Sequence, residues 1–224
     1  WEKALAGDPI SAFGGVLITN QKINAKTATS INKLFFEIII APDYKHKELE
    51  ILKSKKNRII LELNSQYLDG KIQYRSILNG ILAQEKDILI DSKENLDKIT
   101  KLKPSKSQVE DLLFASIVCK HTKSNAIVLV KNKQLIGIGC GQTSRIDALK
   151  QAIEKAKKFN FDLTNSVMAS DAFFPFPDCI EIASKEKISA VIQPGGSIND
   201  QLSIDCCNKN NISMVLTKTR HFKH

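Results

Sequence analysis

The chain runs to 224 residues, 42% hydrophobic and 25% charged, which allows a real core and either one large domain or two small ones. Its formal net charge of +9, from 33 basic and 24 acidic residues, is compatible with nucleic acid, with anionic small ligands or with an acidic region elsewhere in the protein; the lysines are scattered rather than gathered in one arm, which favours a solvated face for most of them. Five cysteines (Cys119, Cys140, Cys179, Cys206 and Cys207), odd in number and without a CxxC, exclude a disulfide scaffold or a zinc site and point to free thiols in a reducing, cytoplasmic compartment. No apolar run reaches the ~18 residues of a transmembrane helix, and no signal peptide is recognisable.

The opening WEKALAG reads as the end of a helix already under way, stopped at Gly7, and with no initiator Met we expect further residues upstream. GDPISAFGG follows as a turn in which Asp8-Pro9 starts the bend and Gly14-Gly15 lets the backbone pass close to a neighbour. GVLIT (15–19) predicts a short strand. FFEIIIAPDY (35–44) predicts a buried strand closed by Pro42; within it Glu37 must be paired, solvated or turned to a ligand, because burying a lone carboxylate is costly. HKELEILKSKK (46–56) has helical spacing at Leu49, Ile51 and Leu52, and NRIILEL (57–63) returns as a strand, giving the strand–helix–strand pattern of an α/β layer. Residues 64–106 read as a connector with small strands, with turn pairs at Asp69-Gly70 and Asn79-Gly80 and an end at Pro104.

Ser107, three residues before Glu110, predicts a capping box opening a helix that ends near Lys120-His121. AIVLVK and LIGIG predict two strands joined by a hairpin at 131–134. GCGQTSR (139–145) then leads into a helix with Ile146, Leu149, Ile153 and Ala156 on one face. Backbone N–H groups and the Arg145 guanidinium at such a helix start suit a phosphate or carboxylate; a capped helix with a surface Arg is the alternative. The final third repeats the pattern: strand VMAS, the bend SDAFFPFPD, helix CIEIASKEK, strand SAVIQ, turn PGGSIND with Ser197 or Asn199 as a cap, helix QLSIDCCNKN and strand ISMVLT. The bend is the most distinctive stretch. Pro175 and Pro177 stiffen it, Asp178 falls in the first turn of the next helix, and Phe173, Phe174 and Phe176 either line a pocket for a flat ligand or plug a core. Arg220 and His221 lie beyond a strand end, the edge where open α/β sheets bind ligands. The arrays 15–63 and 166–224 share a layout without a residue-level repeat.

Taken together, GDPISAFGG, FFEIIIAP, KHTKSNAIVLVKN, GIGCGQTSRIDALKQAIEKAKK, SDAFFPFPDCIE, ISAVIQPGGSIND and RHFKH resemble the C-terminal part of the bifunctional purine biosynthesis (PurH) family, which joins an IMP cyclohydrolase domain to an AICAR transformylase domain. The resemblance covers nearly the whole chain. It implies an α/β fold of cytidine-deaminase-like three-layer subdomains, the first one truncated: the end of the first subdomain at 1–63, a connector with a helical and hairpin region at 64–165, and the second subdomain at 166–224. It implies transfer of a formyl group from 10-formyltetrahydrofolate to AICAR, giving FAICAR on the route to IMP. It further implies a cytoplasmic homodimer with shared active sites, no nucleic-acid or membrane partner, and a monovalent cation such as potassium. A catalytic metal is not expected, because the HxE plus PCxxC zinc set of true deaminases is lacking.

On the matched motifs, Asn125 in KSNA, Arg145 in QTSR, Phe173 and Arg220 are implied to contact AICAR, with Glu37 in the place of the family's nucleotide-binding carboxylate. Ile10, Phe13 and Gly14 of the SAFGG turn, together with Ile146, Pro175 and Phe176, are implied to border the folate. Asp171, Ser124 and Thr122 resemble the surroundings of the monovalent cation. The family's base and oxyanion donor are a Lys-His pair upstream of GDPISAFGG. That pair has no counterpart here, so no residue receives a catalytic role and the chain by itself is expected to be inactive. Lys120-His121 belongs to a different motif and reads as the polar end of a helix. A nucleotide- or RNA-binding module and a non-catalytic dimerisation fragment are the other classes compatible with the residues.

Overall fold

The computed structural model describes residues 1–63 and 70–222, and the expected turn residue Asp69 and the terminal His224 fall outside them. The chain divides into two compact units, Trp1–Lys86 and Asp87–His224.

The first unit runs α1 (Glu2–Ala6), β1 (Gly15–Ile18), α2 (Ala25–Ile31), β2 (Phe36–Ala41), α3 (His46–Lys53), β3 (Ile59–Glu62), β4 (Ile72–Ile77) and β5 (Gly80–Glu85). Strands β1, β2 and β3 form a parallel sheet in that order, which requires crossover connections, and α2 and α3 provide them. Helix α2 starts where the Asn24 side chain accepts the Thr27 N–H at 2.8 Å. The register places Leu17, Ile39 and Ile60 in one row, and these pack with Ala28, Ile31 and Leu52 of the helices. The alternate rows, Val16–Ile38–Ile59 and Ile18–Ile40–Leu61, belong to the other face. There Val16 and Ile18 remain 62% and 68% exposed. Glu37 is exposed on β2, so the strand does not bury a lone carboxylate. Gly7 ends α1 in the right-handed region (φ −60°) instead of the left-handed one that makes glycine a helix stop. Strands β4 and β5 form an antiparallel hairpin. Its two turn residues are Leu78 and Asn79, one position before the expected Asn79-Gly80, because Gly80 is already paired with Ile77.

The second unit contains β6 (Asp97–Lys98), α4 (Lys106–Lys120), β7 (Ile127–Lys131), β8 (Gln134–Gly139), α5 (Arg145–Lys158), β9 (Val167–Ser170), α6 (Asp178–Lys185), β10 (Ala190–Gln193), α7 (Asp200–Lys209) and β11 (Ser213–Leu216). Its sheet has the order β6-β11-β10-β9-β7-β8. Strands β9, β10 and β11 are parallel and joined by α6 and α7, the same βαβαβ path as in the first unit. The β7–β8 hairpin is antiparallel to β9. A division at 165/166 would therefore cut one continuous sheet, since β7 from the expected connector region is hydrogen-bonded to β9.

Three layers result. Val128, Val130, Ala169 and Ile192 face α4 through Leu112, Ala115 and Cys119. Ile127, Leu129, Met168 and Val191 face Leu149 of α5, Ile180 of α6 and Cys207 of α7. Helix α4 opens with a capping box made by Ser105 and Gln108, not by Ser107 and Glu110. Both pairs have the required spacing; the helix starts directly after Pro104, so the earlier pair is the one at its end. Glycines in β8 let α5 lie close, since a Cβ at Gly139 would stand 1.8 Å from the Ala148 carbonyl oxygen. Phe174 is fully buried among the α5–α7 side chains, so of the three rings in the bend this one plugs the core. All five cysteines are free, and Cys119, Cys179 and Cys207 are buried. Among the described residues no helix is long and apolar enough to cross a membrane.

Candidate functional site

The topology of the second unit brings distant segments to one edge of its sheet. Ile127 at the start of β7 pairs with Gly139 at the end of β8 and with Ser170 at the end of β9. The carboxyl ends of β10 and β11 continue the same edge, because both are parallel to β9. Residues just outside these strand ends thus form one neighbourhood, the usual ligand edge of an α/β sheet.

Asn125 precedes β7. Its side-chain amide donates to the carbonyl oxygens of Gln142 at 2.9 Å and Thr143 at 3.2 Å, and so shapes the loop before α5. The start of α5 is capped internally, with the Ser144 side chain accepting the Asp147 N–H at 3.1 Å. Arg145 leaves the first turn and turns towards the end of β9. Its Nε donates to Ser170 Oγ at 3.3 Å and its Nη2 to Asp171 Oδ1 at 3.2 Å. The Asp171 side chain is fully buried and that of Arg145 only 14% exposed. The second Asp171 oxygen, Oδ2, is buried without a hydrogen-bond partner among the described residues. Ser124 and Thr122 are also buried, and Thr122 Oγ1 donates to the Val118 carbonyl at 2.7 Å.

Beyond β11 the chain passes back over this edge. The His221 N–H donates to the Asp171 carbonyl at 3.2 Å. The Phe222 ring lies 4.1 Å from the Arg220 guanidinium and 6.0 Å from that of Arg145, a cation–π arrangement for the nearer pair. In the bend after β9, Phe173 is half-buried, while Pro175 and Phe176 are exposed. The bend is tied to the neighbouring segments by two bonds: the Phe174 N–H donates to Gln193 Oε1 at 3.2 Å, and Asn199 Nδ2 donates to the Pro175 carbonyl at 3.0 Å. Ile146 is half-buried on the first turn of α5.

His221, placed at this edge by the sequence, joins partners that the sequence does not announce. His221 Nδ1 is 2.6 Å from Asp87 Oδ2, and its Nε2 is 3.4 Å from Asp91 Oδ2. Lys120 Nζ lies 3.7 Å from Asp87 Oδ1 and donates to the Leu89 carbonyl at 2.6 Å, and Ser116 donates to Asp91. Burial opposes the charged form of His221, but its hydrogen bonds to Asp91 and Asp87 outweigh that and raise its pKa. Burial likewise works against the Asp91 carboxylate, and the bonds from His221 and Ser116 overcome it, leaving its pKa lowered. Lys120 is therefore part of a buried network and not merely a polar helix end, whereas His121 is exposed as the C-cap of α4.

In the first unit, Ile10, Phe13 and Gly14 lie on the turn before β1. Asp8 Oδ1 accepts the Ser11 N–H at 2.9 Å, and the Gly14 N–H donates to the Phe35 carbonyl at 3.0 Å. Gly14 has φ +72°, a conformation that suits glycine. The Phe13 and Phe35 rings are 4.9 Å apart, and Ile10 and Phe13 stay 65% and 70% exposed.

Residues 1–155 match the AICARFT/IMPCHase bienzyme family. The chain belongs to this family. The bifunctional purine biosynthesis protein PurH of Bacteroides thetaiotaomicron is 61% identical over 224 residues, covering 100% of this chain and 44% of that protein. PurH of Aquifex aeolicus is 49% identical over 223 residues, covering 99% of this chain and 43% of that protein. The chain thus spans less than half the length of these bienzyme relatives. A solved deaminase/reductase from Thermotoga maritima, a diaminohydroxyphosphoribosylaminopyrimidine deaminase/5-amino-6-(5-phosphoribosylamino)uracil reductase, is 18% identical with a TM-score of 0.33, covering 50% of this chain and 35% of that one. That similarity is too low to carry the fold, which rests on the strand order above. Within this AICARFT/IMPCHase chain, the second unit gathers Asn125, Arg145, Ile146, Asp171, Phe173 and Arg220 at one sheet edge. Ile10, Phe13, Gly14 and Glu37 belong to the first unit.

Proposed function

We propose that this chain supplies nucleotide- and folate-contacting residues for AICAR formyl transfer, within a bifunctional enzyme of purine biosynthesis. The observation that supports this best is the meeting of Arg145, Arg220 and Phe222 at the carboxyl edge of β9–β11. Two guanidiniums there suit the phosphate of a ribonucleotide, which Arg can grip through paired N–H···O bonds. Phe173 would stack on the imidazole ring of AICAR. Asn125 would act beside them, holding the loop from which Arg145 rises, and Ile146, Pro175 and Phe176 would border the folate in this unit. In the first unit, taken by itself, Glu37 is proposed as a nucleotide contact and Ile10, Phe13 and Gly14 as folate contacts.

In this reading the AICAR 5-amino nitrogen attacks the formyl carbon of 10-formyltetrahydrofolate. A C–N bond forms, the bond to folate N10 breaks, the amine proton is passed to N10, and FAICAR and tetrahydrofolate leave. The amine is a weak nucleophile because its ring and carboxamide draw off the lone pair, so a base and an oxyanion donor are needed. The family's Lys-His pair for those roles has no counterpart in residues 1–7. The chain by itself is therefore proposed to bind ligand without completing the transfer. The longer protein, as a homodimer with shared sites, would supply the rest. A potassium-like cation is proposed beside Asp171, whose buried Oδ2 has no hydrogen-bond partner among the described residues, with Ser124 and Thr122, which are also buried, as the further residues of that site. Its role there would be to balance that carboxylate.

The test is calorimetric titration of the full-length protein with AICAR and, separately, with tetrahydrofolate. A charge-assisted bond is worth about 1.5–3 kcal/mol, so Arg145→Ala should weaken AICAR roughly 10–100-fold and spare the folate. Phe176→Ala should do the reverse in kind, weakening the folate more. An unchanged AICAR dissociation constant in Arg145→Ala would overturn the nucleotide assignment.

A further inference from the structure

We infer that His221 is a positioning residue: clamped in a buried polar cluster, it holds the segment after β11 so that Arg220 and Phe222 stand at the nucleotide edge. The inference rests on the function proposed above and adds to it a group that does not itself touch the ligand.

The segment from Thr217 to Phe222 lies beyond the end of β11. Its first two residues stay tied to the end of β10, the Thr217 N–H donating to the Gln193 carbonyl and the Lys218 N–H to the Pro194 carbonyl, both at 3.0 Å. After a turn at Thr217–Thr219, the His221 N–H bond to the Asp171 carbonyl holds the backbone of the rest. Consecutive side chains point to opposite sides: Arg220 is exposed, His221 is 6% exposed, and Phe222 is half-buried beside both guanidiniums. An inward anchor at position 221 therefore fixes its two outward neighbours together.

The anchor is a built one. Each ring nitrogen of His221 faces its own carboxylate, Nδ1 at hydrogen-bond distance from Asp87 (2.6 Å) and Nε2 at ion-pair distance from Asp91 (3.4 Å), so the imidazole is oriented from both sides. Asp87 is braced by Lys120, and Asp91 by Ser116, both on α4. With His221 as an imidazolium, two cations face two anions, which makes burial of the whole set tolerable. Removing His221 would leave Asp91 buried without its cation and would free the segment. If the segment were then in place in only a tenth of the molecules, apparent nucleotide affinity would fall about tenfold, because binding is scaled by the competent fraction.

The experiment is titration of the full-length protein with AICAR and with tetrahydrofolate. His221→Leu should raise the AICAR dissociation constant about tenfold by that scaling and leave the tetrahydrofolate constant unchanged. His221→Gln, which can still bond one carboxylate, should recover part of the loss. Asp87→Asn, at a position less buried than His221, should show an intermediate loss, and it keeps the inference testable should His221→Leu fail to fold. In an Arg220→Ala background His221→Leu should add little, since the group it positions is gone. Equal weakening of both ligands, or wild-type AICAR affinity in His221→Leu or Asp87→Asn, would overturn the inference. So would a full additive loss on top of Arg220→Ala. Failure of the unsubstituted protein to bind AICAR would instead overturn the proposed function.

Discussion

Phe174 and Phe176 stand two positions apart on the bend after β9, yet one is 0% and the other 58% exposed. The difference comes from the backbone between them. The Phe174 N–H is held by Gln193 at the centre of the sheet edge, which points that ring into the α5–α7 core, and Pro175 carries the chain outward again. Phe174→Ala should cost about 3–5 kcal/mol, the range for emptying a buried aromatic site. Phe176→Ala should stay within about 0.5 kcal/mol of the parent, as for a surface substitution. Urea unfolding of the two variants checks both values; equal losses would mean that the bend packs as a unit. This division was not legible in the sequence. Three Phe with two Pro announce a special loop, but which ring turns inward depends on Gln193, 19 residues further on.

At the scale of elements, the packing of α5 on β8 decides where Arg145 sits. Gly137 and Gly139 leave room for the helix backbone: added Cβ atoms would meet the Ala152 and Ala148 carbonyl oxygens at 2.3 and 1.8 Å. Gly139→Ala must push α5 away, at about 1–3 kcal/mol for overpacking, and would carry Arg145 with it. It should therefore lose thermal stability and nucleotide affinity together. Gly141→Ala strains the loop at φ +65° but meets nothing nearer than 3.8 Å, so it should leave the helix seated. Melting curves alongside AICAR titrations separate the two. The elements themselves were largely readable. The strand–helix–strand arrays, the 131–134 hairpin and the helix after QTSR all follow from apolar spacing and turn residues. Boundaries were less so. Two Ser-x-x-Glu/Gln pairs compete at the start of α4, and the backbone uses the one next to Pro104.

At the scale of the molecule, two βαβαβ arrays recur in one chain without a residue-level repeat, since the path requires only apolar strands and crossovers of suitable length. The motifs that carry Asn125, Arg145, Asp171, Phe173 and Arg220 are short runs of sequence, and their ligand roles are what the family resemblance implies. The Asp87–Asp91–Ser116–Lys120–His221 network was not legible, because its members are scattered between residues 87 and 221 and carry no common spacing. That network also sets an acid limit on stability. Asp91 has a pKa below the ordinary 3.8, so its contribution is complete above that value and is lost as the pH falls through the depressed folded value. Asp91→Asn should therefore be less stable than the parent near neutrality, with the gap in melting temperature narrowing in strong acid. A gap that does not change with pH would show that Asp91 acts through shape alone.

The uncovered rows of the first sheet bear on how the protein behaves in the test tube. Parallel sheets are ordinarily clothed on both sides. Here Val16, Ile18, Ile59 and Leu61 present a water-facing band of branched side chains, 45–68% exposed, on one side of β1–β3. Such a band is sticky towards any apolar surface it meets. For this 224-residue chain, the concentration at which a sample clouds is expected to depend on these four side chains.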